Sequence, residues 1–117
     1  MKALKVYEYA GCSTCKKALK FLDAKEVPYE KIDITARAPS VGELREMLGH
    51  VGDLRKLFNT SGLVYKEMKL SEKLSSLSEK EALALLAGNG RLVKRPFVLG
   101  PGWGVVGFRE EEWKKRV

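Results

Sequence analysis

Residues 4 to 34 read as a strand, a helix and a second strand, and a strand-helix-strand unit of this length leaves few ways to fold. Leu4 to Tyr9 is the apolar part of a strand from Met1 to Tyr9, with Leu4, Val6 and Tyr7 expected inside. Gly11 permits a tight turn. Cys15, Ala18, Leu19 and Leu22 then recur at i, i+3, i+4 and i+7, the apolar face of a helix from about Ser13 to Lys25. The Val27-Pro28 step stops that helix. Tyr29 to Ile34 sets Tyr29, Ile32 and Ile34 among charges, a second strand parallel to the first.

The middle of the chain is helical. Ser40-Val41-Gly42-Glu43 has capping-box spacing, with Leu44, Met47 and Leu48 on the inner face and Gly49 expected as the stop. A short helix from Asp53 to Phe58, a turn at Asn59-Thr60-Ser61-Gly62, and loose helical turns over Tyr65 to Leu70 and Lys73 to Leu77 follow. Ser78 to Glu81 repeats the capping box and opens a helix through Ala87, closed by Gly88-Asn89-Gly90. The last third changes character. Phe97 to Leu99 is a strand, Gly100 to Gly104 is dense in turn residues, and Val105 to Phe108 pairs back as a hairpin. Glu110, Glu111 and Glu112 open a final helix that Lys114, Lys115 and Arg116 close, as the helix dipole favours.

The order is β-α-β, a helical insertion over about 38–90, then β-β-α. The expected fold is α/β: one domain over residues 1–117 with a four-stranded mixed sheet in the arrangement of thioredoxin.

Both cysteines of the chain, Cys12 and Cys15, lie at the start of the first helix. Cys12 at the helix N-terminus meets backbone N–H groups that have no partner within the helix, and the positive end of the dipole favours a thiolate there. Lys16, Lys17 and Lys20 act in the same direction, so Cys12 is expected to titrate below the free thiol value of about 8.5. Cys15 faces the core and is the natural resolving thiol. A structural zinc site needs about four ligands, and two cysteines plus the distant His50 do not supply them. A C-x-x-C at a helix start beside a β-α-β pattern reads first as a redox motif.

Composition narrows the classes. Hydrophobic residues at 44% suffice for one core, and no stretch approaches the roughly 20 apolar residues of a spanning helix. No secretory leader is evident, which points to the cytoplasm, where a C-x-x-C stays in exchange. The net charge of +7 is spread along the chain with acids between the bases, which reads as a solvated surface and not as a nucleic-acid site. No phosphate-binding loop appears, so no organic cofactor is implied.

The run Gly11-Cys12-Ser13-Thr14-Cys15-Lys16-Lys17-Ala18, the loop Pro39-Ser40 with Glu43-Leu44, the turn Phe58 to Gly62, and Leu92-Val93-Lys94-Arg95-Pro96 before a hairpin ending Val106-Gly107-Phe108 together resemble the ArsC/Spx family. The resemblance spans essentially the whole chain and looks closest to the uncharacterised ArsC-like reductase branch that carries a C-x-x-C. It implies a thiol-disulfide oxidoreductase with Cys12 as nucleophile, Cys15 as its redox partner and Arg95 beside them. Lys16, Asn59, Thr60 and Pro96 would contact substrate. It also implies a cis Arg95-Pro96 bond facing Cys12. The implied reductant is glutathione, glutaredoxin or a thioredoxin-like protein, acting on a monomer. An alternative from the same family is a redox-sensing Spx-type regulator that binds the RNA polymerase alpha subunit. Another is a glutathione- or glutaredoxin-dependent arsenate reductase. Arsenate reductases of the family hold the oxyanion with three arginines. Arg95 matches one, while the other two fall on Asn59 and about Phe108, with Arg109 next to the latter as a substitute.

Overall fold

The computed structural model describes residues 3–117. Its element order is β1 (Leu4–Glu8), α1 (Ser13–Ala24), β2 (Tyr29–Asp33), α2 (Val41–Val51), α3 (Leu63–Glu67), α4 (Leu70–Lys73), α5 (Glu79–Gly88), β3 (Phe97–Gly100), β4 (Trp103–Val106) and α6 (Glu110–Lys114), with short 3-10 turns at Leu54–Leu57, Leu74–Ser76 and Gly90–Leu92. Met1 and Lys2, expected within the first strand, lie outside the described residues.

The four strands form one mixed sheet in the order β2-β1-β3-β4. β1 and β2 are parallel, as the crossing helix requires, and β3 is antiparallel to both β1 and β4. This is the thioredoxin-like α/β architecture that the element order predicts.

Alternation along β1 divides the interior in two. Leu4 and Val6 join Ala18, Leu22, Val98, Val105 and Trp113 on the face covered by α1 and α6. Trp113 seals that layer: its indole N–H donates to the Gly107 carbonyl at 3.2 Å, and its ring packs edge-on against Phe21 and Phe108. Tyr7 points the other way, into a larger core with Ile32, Ile34, Phe97 and the helical segment between β2 and β3. Lys5 shares that face, and both it and Tyr7 reach Glu43 in the first turn of α2, at 2.8 and 2.6 Å.

Both predicted capping boxes form, at Ser40/Glu43 and Ser78/Glu81. The end of α2 differs from expectation. Gly49 stays helical, because nothing at that point unwinds the chain and Leu48 and Val51 on either side pack on the core. The helix stops at Gly52, whose φ of 76° takes the left-handed conformation of a C-cap. The hairpin is also tighter than the sequence suggests. β4 begins at Trp103, and Pro101-Gly102 alone make the turn, with Gly102 at φ 78°. Gly90 is not merely a stop signal: a Cβ there would lie 1.8 Å from the carbonyl oxygen of Ile34, so the chain returning to the sheet touches the backbone just beyond β2.

Candidate active site at the start of helix α1

The turn after β1 delivers Cys12. Its backbone is extended and it caps α1, accepting the Cys15 N–H on its sulfur at 3.2 Å. A thiolate there satisfies one of the orphan N–H groups of the helix and sits at the positive end of its dipole. Cys12 is half-buried and Cys15, one turn further, is fully buried; both are free thiols.

Strand register supplies the second component. Tyr7 pairs with Phe97 across β1 and β3. Just beyond that last pair, where both strands have ended, the Arg95 guanidinium lies over the Tyr9 ring, 4.9 Å from its centroid. Arg95 is also near enough for its positive charge to favour a thiolate at Cys12. Burial pushes the Cys12 pKa up. Hydrogen bonds from the Cys15 thiol and N–H, together with the positive charge of Arg95, outweigh that burial and hold Cys12 below the ordinary thiol value. Cys15 goes the opposite way: burial, then the hydrogen bond it gives to Cys12, push it up to about 12. Two neighbouring thiols thus differ sharply in readiness to ionise.

The other predicted site residues fare unevenly. The Arg95-Pro96 bond is cis and Pro96 is buried. Lys16, Lys17 and Lys20 are exposed, and the groups that hold Cys12 down are Cys15 and Arg95. The helix aims those lysines into solvent, where their charge is screened, while Arg95 arrives from the adjacent strand. Asn59 is tied to the site through the backbone: Phe58 bridges Val93, and the Asn59 N–H donates to the Leu92 carbonyl at 2.7 Å.

Asn59 and Thr60 then part. Asn59 lines a hollow of about 220 Å³ with Tyr9, Leu63, Arg91 and Arg95. Thr60 lines a separate hollow of about 580 Å³ with Thr14, Lys94 and Arg109. Arg109, the candidate substitute for a missing arginine, is therefore in the second hollow and not in the one that Arg95 lines. Tyr9 and Arg91 were not anticipated. Following β1 past its last pair finds Tyr9, whereas Arg91 enters through a 3-10 turn that no local pattern marks. Among the described residues no group of three His, Cys, Asp or Glu side chains is placed to hold a metal ion. Nor is any helix among them long and apolar enough to cross a membrane.

A family model for ArsC matches residues 7–116, nearly the full length in which this strand, thiol pair and cis-proline loop are assembled. The chain belongs to the ArsC family. Its ArsC relatives include the uncharacterized protein YusI of Bacillus subtilis, 41% identical, with 97% of each chain covered. The global transcriptional regulator Spx of Listeria innocua is 26% identical, over 94% of this chain and 83% of the regulator. Among solved ArsC-type structures, that of a possible arsenate reductase from Streptococcus mutans is 40% identical, with a TM-score of 0.88, over 97% of this chain and 99% of that one.

Proposed function

We propose that this ArsC-family chain is a thiol-disulfide oxidoreductase that works through Cys12 and Cys15. The observation that carries the reading is the opposed tuning of the two thiols: Cys12 is held towards the thiolate by Cys15 and Arg95, while Cys15 stays protonated beside it. The Cys12 thiolate attacks one sulfur of a substrate disulfide. A Cys12–substrate disulfide forms, and the other substrate sulfur leaves as a thiolate. That step removes the negative charge which, after burial, helps keep the Cys15 proton in place. Cys15 then gives up its proton and attacks the Cys12 sulfur, forming the Cys12–Cys15 disulfide and releasing the second substrate thiolate. Two electrons have passed to substrate. A small thiol such as glutathione, or a glutaredoxin or thioredoxin-like protein, returns them.

Arg95 lends positive charge to the reacting sulfur, and Pro96 fixes the loop that carries Arg95. Asn59 and Thr60 flank the two approaches to the site, and Lys16 contributes positive charge at its rim. The reading takes the chain as a monomeric domain in the cytoplasm. Turnover of bis(2-hydroxyethyl) disulfide with glutathione tests it. Cys12→Ser should abolish turnover, and Cys15→Ser should accumulate a mixed disulfide at Cys12 visible by intact mass. Undiminished turnover by Cys12→Ser overturns it.

A second reading, redox control of a complex with the RNA polymerase alpha subunit, is supported by the similarity to Spx. Binding of the alpha subunit that differs between the dithiol and disulfide forms tests it. Arsenate reduction draws support from the S. mutans relative; by the family resemblance, two of the reductases' three arginine positions fall on Asn59 and about Phe108, and neither residue gives a bidentate oxyanion contact.

A further inference from the structure

The larger hollow beside the site concentrates charge that the sequence spreads out. It runs from the end of α2 past β4 to α6. Its walls present Arg55, Lys56, Lys94, Arg109 and Arg116 against a single carboxylate, Glu112. Four of the seven net positive charges of the chain are accounted for there. All five cationic residues are exposed. Among the described residues the only Lys or Arg side chain in an ion pair is Lys5, with Glu43, so none of the five is directly paired with an acid.

Like charges gathered without counter-charges repel one another and favour an incoming polyanion. The groove reaches the first turn of the helix that Cys12 caps, though Cys12 itself is not among its lining residues. Thr14, in the first turn of α1 two residues beyond Cys12, forms part of its wall.

We propose that this groove docks an acidic polypeptide segment of a protein whose disulfide Cys12 attacks. The proposal rests on the redox reading above and names the class of its substrate. Two features favour a polypeptide over nucleic acid. Phe58 is buried and Phe108 packs on Phe21 and Trp113, so neither phenyl ring of the groove offers a free face on which the bases of a single strand stack. A polypeptide alone also carries a sulfur for Cys12. In the first step the Cys12–S bond forms as the S–S bond of the docked partner breaks, its second sulfur leaving as a thiolate. Cys15 resolves the pair, and glutathione restores the dithiol. Carboxylates of the partner on either side of its cysteine are held by the groove, which raises the encounter rate and orients the disulfide.

The test uses the full-length protein and two short synthetic peptides. Each carries one cysteine capped as its mixed disulfide with 2-mercaptoethanol, flanked by Asp and Glu in one and by Lys in the other. At low salt, kcat/KM should favour the acidic peptide by about tenfold or more, and the preference should shrink as salt rises. The triple charge reversal Arg55→Glu, Lys56→Glu, Arg116→Glu should erase the preference. Bis(2-hydroxyethyl) disulfide reports separately on the thiol pair. Normal turnover of it with no peptide preference overturns the groove and leaves the redox reading standing. Fluorescence anisotropy on the Cys12→Ser protein, with labelled acidic peptide lacking cysteine and with labelled duplex DNA, reads the groove without redox chemistry. Salt-sensitive peptide binding lost in the triple reversal supports the groove even where no disulfide is turned over. DNA binding tighter than peptide binding, or no peptide binding, overturns it.

Discussion

The Cys15 backbone N–H donates to the Cys12 sulfur at 3.2 Å, so the first turn of α1 holds the reactive atom with its own main chain. That bond does not depend on the Cys15 side chain and remains in Cys15→Ala. What Cys15→Ala removes is the thiol that also donates to Cys12. Iodoacetamide labelling of Cys12 against pH should give a midpoint below about 8.5, and Cys15→Ala should move it upward. Cys15 itself, pushed up to about 12, should remain unlabelled in the folded dithiol protein across the neutral range.

Arg95 acts by its charge on Cys12, and its guanidinium is steadied by the Tyr9 ring. Arg95→Ala should raise the Cys12 pKa and slow labelling at pH 6 severalfold. Arg95→Lys should restore part of the effect, because a point charge replaces a planar group that stacks on Tyr9. Tyr9→Leu should fall between wild type and Arg95→Ala. Thermal melts of the three variants, unchanged beside altered labelling, separate this role from a structural one.

Two glycines separate steric from conformational cost. At Gly90 an added Cβ runs into the Ile34 carbonyl at 1.8 Å, and backbone must move. Gly90→Ala should cost more than about 3 kcal/mol or prevent folding. At Gly52 nothing lies within 4 Å of the added atom, and only the φ of 76° opposes it. Gly52→Ala should cost about 1 kcal/mol. Urea melts of the two variants check the ranking, and equal values would refute the close approach at Gly90.

Glu43 gathers the Tyr7 hydroxyl, the Lys5 ammonium and the Ser40 N–H. Burial pushes its pKa up, but those bonds outweigh burial and hold the carboxyl below the usual range. A carboxyl lowered in the folded state stabilises the fold above its unfolded value of about 4.3 and loses that contribution as pH falls through the folded value. Stability measured from pH 7 down should therefore decline in acid more steeply for wild type than for Glu43→Gln. Glu43→Ala should lower stability at pH 7 by about 1–3 kcal/mol, as it leaves the Tyr7 hydroxyl without its acceptor.

The fold was legible because its signals are local. Helical spacing from Cys15 to Leu22, the Val27-Pro28 stop and two capping boxes each act within a few residues, and their order leaves little topological choice. The C-x-x-C was legible from its place at a helix start beside a β-α-β pattern, and Arg95 through the family resemblance. Tyr9 over Arg95 depends on the antiparallel pairing of β1 with β3, which no local pattern encodes. The cationic groove was misread for a related reason. Acids alternate with bases along the chain, yet folding turns Arg55, Lys56, Lys94, Arg109 and Arg116 to one side and leaves all but one of the acids elsewhere. The true end of α2 also escaped, since a helix tolerates Gly49 when its neighbours are packed and yields only where left-handed backbone is demanded.

The division of the interior by β1 carries one more consequence. Val6 anchors to the layer that carries the thiol helix, and Tyr7, its neighbour, anchors to the layer built by residues between β2 and β3. Descendants of such a chain can remodel the second layer, lengthen its turns or recharge its rim without repacking the floor beneath the sulfur. One fold can thus diversify in what it recognises while its electron chemistry is inherited unchanged.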